Sequence, residues 1–423
     1  MHEPLPRTFS LRARYLLTMQ GPALKNGLVT IRDGWITGVN DRDPLEPILD
    51  LGDVILMPGL VNAHTHLEFS DLATPLPAGD NFADWIRAII AYRQQQRTAA
   101  DEPSSSNSSQ VQATVEQGLQ ESIRSGVTTI GEISTVAGSH RWYQETTIQT
   151  VLFQEILGLA PEQIPHHLQT AQQHLANSNP ETSPLTVGLS PHAPYSMHSE
   201  LFQQLCQLAK RHHVPCALHL AESRDELELL KSATGPLQQM LESLGVWNPS
   251  AIALGLAPLD YLHWISETPR SLIIHGNFLT AAEITFLGQQ AERMSLVYCP
   301  RTYSHFHDSS YPLSAMLEQG VLVALGTDSR ATNPDLNLLA EMQHVGQSHP
   351  TIAPDLIVQM GTSHGARALG LENVCGSIEP GKRADLVTIC TDQGSSTDVA
   401  EAVIASESRV QGVMGGGEWL VAP

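Results

Sequence analysis

A His-x-His pair, His64-Thr65-His66, stands at the end of the apolar run Val54–Val61. Residues two apart in a strand point to the same face, so both imidazoles would project together from a strand end, as two ligands of one metal ion must. Three later strand-like runs end in the residues that a hydrolytic zinc or iron site would still lack. These are His219 with Glu222 in CALHLAES, His275 in SLIIHGNF and Asp328 in LVALGTDS. Four strand ends converging on one ion describe the mouth of a barrel. His64, His66, His219 and Asp328 together suit one Zn²⁺ or Fe²⁺, with a position left open for water. A metal lowers the pKa of its water toward about 7, and the reaction then needs a base to take a proton and an acid to return one. Glu222 lies three residues past His219, beyond the strand end, where it can reach substrate without binding the metal. His275 and Asp328 would flank the water. The alternative, four separate buried polar residues, does not account for their common position at strand ends.

Two other features bear on the metal. The pair His305-Phe306-His307 follows Pro300 in a stretch rich in Ser and Tyr. With no strand to align its rings, it reads as substrate-loop or surface material. A second ion bridged by a carboxylated lysine is argued against, because no lysine occurs between Lys25 and Lys210. One divalent ion per chain, Zn²⁺ before Fe²⁺, is the expectation.

The elements that must hold these residues are legible as alternating strand-like and helix-like segments. Strands are expected at 61–66, 127–133, 149–156, 185–193, 216–222, 271–277, 295–300 and 322–328. Helices are expected at 82–96, 111–125, 166–177, 199–213, 225–231, 281–290 and 337–343. Eight such units with short connections favour a closed (β/α)₈ barrel over an open doubly wound sheet, and no Gly-rich dinucleotide or phosphate loop is present. Short strands and turns fill the first segment, and strand-like runs recur at 384–390, 401–407 and 410–421. Neither end could close a β domain alone, so residues 1–57 and 376–423 are expected to form one composite domain beside a barrel of residues 58–375. The polar stretch TAADEPSSSNSS at 98–109 reads as a mobile surface insertion.

Composition narrows the partners. Of 423 residues, 23 are Lys or Arg and 44 are Asp or Glu, a net charge of −21. Nucleic acid and anionic membrane would both be repelled by such a chain, which leaves a small-molecule substrate, with a homo-oligomer compatible. The five cysteines are scattered without C-x-x-C spacing, as in a reduced, cytoplasmic protein. No apolar run reaches the roughly 18 residues of a spanning helix, and the N-terminus lacks the pattern of a signal peptide.

Six stretches carry a family resemblance: MPGLVNAHTHLE (57–68), SPHAPYS (190–196), HLAES (219–223), IIHGN (273–277), GTDSRATNPDLNLLAEM (326–342) and TSHGARALGLENVCGSIEPGKRADLV (362–387). Together they resemble the amidohydrolase superfamily, and within it the branch of nucleoside and nucleobase deaminases and chlorohydrolases. The resemblance covers nearly the whole chain. It implies a (β/α)₈ barrel beside a small β-sandwich built from both termini. It also implies His64, His66, His219 and Asp328 as ligands, with Glu222, His275 and Asp328 handling protons. His192 of SPHAPYS matches a substrate contact of S-adenosylhomocysteine deaminases, and Glu68 and Ser329, inside the matching stretches, are expected at the substrate as well. Adenosine-type deaminases carry an Asn-rich turn after the seventh strand, whereas this chain has YCPRTYSHFHDSSYPL (298–313). The Cys-Pro-Arg version looks more like the aminofutalosine deaminases of menaquinone synthesis. Arg301 would then pair with a substrate carboxylate, a structural salt bridge being the alternative.

The expected activity is hydrolytic deamination of an amino-purine nucleoside, of the aminodeoxyfutalosine or S-adenosylhomocysteine/methylthioadenosine type, with metal hydroxide attacking the amine-bearing ring carbon. Removal of another group, as by a chlorohydrolase or cyclic amide hydrolase, would use the same machinery. A catalytically dead barrel acting as a binding protein would have lost a ligand or the acid, and all are present.

Overall fold

Eight apolar runs separated by helices close into a parallel barrel in a computed structural model of the chain. The structure describes residues 5–41, 45–98, 106–144, 146–177, 185–391 and 398–423. The barrel strands are β1 (Leu60–Thr65), β2 (Val127–Ser134), β3 (Gln149–Ile156), β4 (Leu185–Pro191), β5 (Cys216–Leu220), β6 (Ser271–His275), β7 (Met294–Tyr298) and β8 (Val323–Leu325). Each pairs in parallel with its neighbours in chain order. Alternation sorts the side chains: Val151 and Phe153 of β3, Ala217 of β5 and Leu272 and Ile274 of β6 belong to one inner cluster. Their neighbours Leu152, Leu218 and Ile273 pack outward into the large cluster shared with the helices. Parallel strands covered on both faces need such continuous apolar runs.

Eight further strands form a second sheet from the two ends of the chain. Thr8–Leu16, Leu24–Arg32, Trp35–Val39, Ile48–Asp50 and Ile55–Pro58 come from the N-terminal side; Leu386–Cys390, Arg409–Gly415 and Glu418–Val421 come from the other. The two halves are joined where Ile55–Pro58 lies antiparallel to Leu386–Cys390, with Pro58 opposite Leu386. Phe9, Leu11, Ile31 and Leu56 share one buried cluster with Leu386 and Met414.

The expected helices are present, several with longer bounds, such as α1 (Phe82–Thr98) and the helix Leu338–Ser348. Two readings are corrected. The run at 401–407 is not a strand: Val399–Ile404 is a helix, capped by the Asp398 carboxylate, which accepts from the N–H groups of Ala400 and Glu401. Ala400 and Val403, three apart, are buried, a helical rather than an alternating pattern. The polar stretch 98–109 is not all loop, because a helix begins at Ser106 and runs to Arg124. Residues 99–105, where the mobile insertion was expected, lie outside the described residues.

A chain ended at Gly381 would strip Ile55–Pro58 of its antiparallel partner Leu386–Cys390 and remove Leu386 and Met414 from the core of the terminal sheet. It should lose its cooperative thermal transition and most of its soluble yield. A truncated protein that melts like the full chain would show that the N-terminal strands do not depend on the C-terminal ones.

Candidate active site

The C-terminal ends of the barrel strands bring the expected residues together. His66 Nε2 lies 3.3 Å from His219 Nε2. Asp328 Oδ1 lies 3.8 Å from His64 Nε2 and 3.9 Å from His66 Nε2. One nitrogen each of His64, His66 and His219 falls within a 4.8 Å cluster, and His64, His275 and Asp328 form an overlapping one. His219 follows the inward face of β5 two residues after Ala217. Its Nδ1 is 3.1 Å from the carbonyl oxygen of His192; donation there leaves the Nε2 lone pair facing the cluster. Both ring nitrogens of His64 are buried without a hydrogen-bond partner, which in a fully buried side chain points to a ligand rather than a packing residue. Burial lowers the pKa of His64 and His66 well below the usual imidazole value and that of His219 to about 4. Neutral rings with free lone pairs are what a divalent ion requires, so the donor set fits one.

Backbone turns aim the remaining groups. His275 and Asp328 have φ of 68° and 54°, in the left-handed region, as does Ala221 just before Glu222 at 52°. Such values are uncommon for residues other than glycine and gather at functional sites. His275 is out of phase with the inward Leu272 and Ile274, and this turn brings its Nε2 to 3.4 Å from Glu222 Oε1. The turn carrying Glu222 is clamped by Glu226, whose carboxylate accepts from the N–H groups of Ala221 and Glu222 at 2.9 and 3.0 Å. Glu132 does the same beside His66, accepting from the Leu67 N–H at 3.1 Å and from the Tyr143 hydroxyl at 3.1 Å.

Burial dominates the electrostatics. It pushes the Glu222 carboxyl well above the usual range, helped by the negative charge of Asp328 and then Glu226. It raises Asp328 to about 7 against hydrogen bonds from Thr302 and Thr332. Glu222 is thereby held as a proton carrier, while a cation among the ligands would draw Asp328 back to its charged form.

A cavity of about 650 Å³ opens over the cluster, with His192, Glu222, His275, Asp328 and Ser329 in its walls. Not every expected substrate residue faces it. The Glu68 carboxylate is turned away and saturated by Ser134 Oγ, Thr135 Oγ1 and the N–H groups of Thr135 and Val136. Arg301 is likewise committed: Nε donates to Glu341 at 2.7 Å and Nη2 to Asp335 at 2.7 Å. It is a structural ion pair, outside the cavity wall. The expectation that Arg301 holds a substrate carboxylate is corrected, because its Nε and Nη2 are spent on Glu341 and Asp335 and the side chain does not line the cavity. His305 and His307 are also not loop material. His305 lies within the helix Pro300–Phe306, with Nε2 2.9 Å from the Leu76 carbonyl, and His307 caps that helix, its ring against Phe278. Glu155 was missed by the sequence reading. It continues the inward face of β3 after Val151 and Phe153 and lies 3.9 Å from His192 Nε2, with Oε1 unpartnered. A carboxylate at the end of the run QTVLFQEI was the available signal.

Barrels with imidazoles and a carboxylate gathered at this mouth are the scaffold of metal-dependent hydrolases. The amidohydrolase family matches residues 55–420, and the chain belongs to that family; with deaminases among its relatives, it is a hydrolase acting on carbon–nitrogen bonds. Its sequence is 28% identical over 372 residues to the 5-methylthioadenosine/S-adenosylhomocysteine deaminase of Carboxydothermus hydrogenoformans, covering 84% of this chain and 76% of that protein. Its fold is similar to that of Helicobacter pylori aminofutalosine deaminase in complex with methylthio-coformycin, with a TM-score of 0.83, 23% identity and coverage of 97% and 100%. An adenosine deaminase of Xanthomonas campestris with bound zinc aligns with a TM-score of 0.77 at 23% identity, covering 99% of this chain and 94% of that one.

Two outcomes follow from this geometry. Purified protein should hold about one divalent ion per chain, and His64→Ala should abolish that retention; metal analysis giving two tightly held ions would contradict a single site. Arg301→Met should lower stability by about 3–5 kcal/mol in urea unfolding, since it leaves the buried Glu341 unpaired. Wild-type stability combined with a selective rise in KM would restore Arg301 to the substrate.

Proposed function

We propose that the chain is a hydrolytic deaminase of amino-purine nucleosides that works with one bound divalent ion, zinc in preference to iron. The observation that carries this reading is Glu222, a buried carboxyl 3.4 Å from His275, its pKa raised well above the usual range by burial, in the wall of a cavity that also holds His66, His219 and Asp328. A divalent ion held by His64, His66, His219 and Asp328 supplies Lewis acidity that makes water nucleophilic near neutral pH. Glu222 is placed to give its proton to the ring nitrogen next to the amine-bearing carbon. The proton taken from the attacking water passes to the amine, which leaves as ammonia, and the proton of the added hydroxyl returns to Glu222 as the oxo product forms. His275 and Asp328 orient the attacking water by hydrogen bonds and take up its proton. His192, its pKa lowered to about 3 by burial, is neutral and can donate or accept a hydrogen bond at the ring edge. Sequence similarity to a methylthioadenosine/S-adenosylhomocysteine deaminase supports the substrate class. The link to menaquinone synthesis rested on Arg301 and is not carried further. All five thiols are free, four of them buried, which supports a reducing, cytoplasmic setting. No helix among the described residues is long and apolar enough to cross a membrane.

Ammonia release from adenosine, 5′-methylthioadenosine, S-adenosylhomocysteine and aminofutalosine tests the reaction; no ammonia from any of them would reject it. Glu222→Gln should retain metal and bind substrate while kcat falls roughly 10²–10⁴-fold. Near wild-type turnover in that variant would move the proton transfer to another group.

A further inference from the structure

Three strand ends beside the candidate metal site meet at a second point. Glu155 lies near the end of β3, His192 directly follows β4 and His219 belongs to β5. Backbone hydrogen bonds tie them in order. The His192 N–H donates to the Ile156 carbonyl at 3.2 Å, and the His219 N–H donates to the His192 carbonyl at 2.9 Å. One ligand atom from each of the three falls within a 4.8 Å cluster. Glu155 Oε1 lies 3.9 Å from His192 Nε2 on a side chain only 4% exposed, and it has no hydrogen-bond partner. Ser196 decides which nitrogen of His192 carries the proton. Its hydroxyl donates to the Ala193 carbonyl at 3.1 Å and so accepts from His192 Nδ1 at 2.6 Å. That leaves the lone pair on Nε2, the atom 3.9 Å from Glu155. A buried carboxylate oxygen and an imidazole lone pair are thus set side by side with no proton between them, an arrangement that a cation satisfies.

The charge of the cavity points the same way. Among the described residues its wall carries four acids, Glu155, Glu162, Glu222 and Asp328, against one arginine, Arg93, whose guanidinium is 3.6 Å from Glu68. We propose that Glu155 and His192 form a second divalent-cation site, beside the one at His64, His66, His219 and Asp328 and weaker than it. A carboxylate with an imidazole suits zinc and its late first-row neighbours rather than magnesium, which prefers oxygen ligands throughout. His219 sets the ranking. Its Nε2, 3.3 Å from His66 Nε2, serves the first ion, and its Nδ1 is occupied by the His192 carbonyl. In the loaded protein the second ion therefore keeps two protein ligands and completes its shell with water, so it exchanges where the first is retained. It would also take the edge of His192 that the proposed reaction offers to the substrate ring, which makes excess zinc a competitive inhibitor. That consequence rests on the nucleoside deaminase reading; the site does not.

The test starts from protein carrying one zinc per chain, dialysed against rising free zinc and then analysed for metal. Wild type should take up a second equivalent that desalting removes. Glu155→Gln and His192→Ala should each keep the first ion and weaken the second by more than the roughly tenfold that changes outside the ligand shell cost. Excess magnesium should not displace it. A stoichiometry that stays at one up to about 1 mM free zinc would overturn the proposal. So would a second ion bound as tightly by either variant, which would place it on a surface histidine, or loss of the first ion from either, which would show one shared centre. With 5′-methylthioadenosine as substrate, zinc at concentrations that fill the site should raise KM and leave kcat unchanged. Turnover indifferent to that zinc would overturn the inhibitory role. Glu155-dependent uptake of a second ion by a protein that releases no ammonia would uphold the site and reject the deaminase.

Discussion

The barrel closes at one seam, and the candidate metal site is built on it. β8 is only three residues long, and the ladder that joins it to β1 passes through Asp328 and the His-x-His segment. The Asp328 N–H donates to the His64 carbonyl at 3.1 Å, and the Asp328 carbonyl accepts from the His66 N–H at 3.4 Å and from Thr65 Oγ1 at 2.9 Å. One layer below, Asn62 exchanges hydrogen bonds with Thr327 through its side-chain oxygen and nitrogen. Gly326 permits the approach, since a Cβ there would lie 2.8 Å from the His64 carbonyl oxygen. The contacts that complete the fold therefore also fix His64, His66 and Asp328, three of the four candidate ligands. An ion gripping His64, His66 and Asp328 would staple strands one and eight, so metal binding and barrel closure reinforce each other.

Charge at the mouth follows from the same crowding. Glu155, Glu222, Glu226 and Asp328 are all buried, and burial raises the pKa of each. Burial disfavours the charged form of each, and at Glu222 the negative charges of Asp328 and Glu226 add to it. Neutral imidazoles around them leave room for a dication. Glu226 is the exception in role: its oxygens are spent on backbone N–H groups, so it holds geometry rather than exchanging protons with substrate. Arg301 and Glu341 repeat that division one layer out, where a complete ion pair stiffens the start of the helix after β7.

Much of this was legible in the sequence because period and punctuation agreed. The barrel strands are short apolar runs, with His66, His219, His275 and Asp328 at or near the ends of β1, β5, β6 and β8, and β3 has the same bounds in sequence and structure, residues 149–156. That His64, His66, His219 and Asp328 gather at one mouth needed no tertiary knowledge beyond alternation and strand order. What stayed hidden was which way a polar side chain turns once it leaves a strand. Glu68 and Arg301 sit beside the right motifs, yet local N–H groups and carboxylates claim them first. Arg93 lies in the helical segment YRQQQR, where nothing in the sequence separates a solvent-facing arginine from one over a cavity. The helix Val399–Ile404 was mistaken for a strand because a short run of alanine and β-branched residues suits either period, and the Asp398 cap decided it.

The pairing of Pro58 with Leu386 has a bearing on how the protein is made. Only Gly59 separates the terminal-sheet strand Ile55–Pro58 from β1, which carries both histidines of the first motif. During synthesis that stretch leaves the ribosome early and must wait for almost the entire remaining chain before its antiparallel neighbour exists. Contacts so distant in sequence are slow to form, and they leave an apolar edge exposed in the interval. Chaperone binding during that interval, rather than the final stability of the barrel, would then govern how much enzyme a cell recovers from each message.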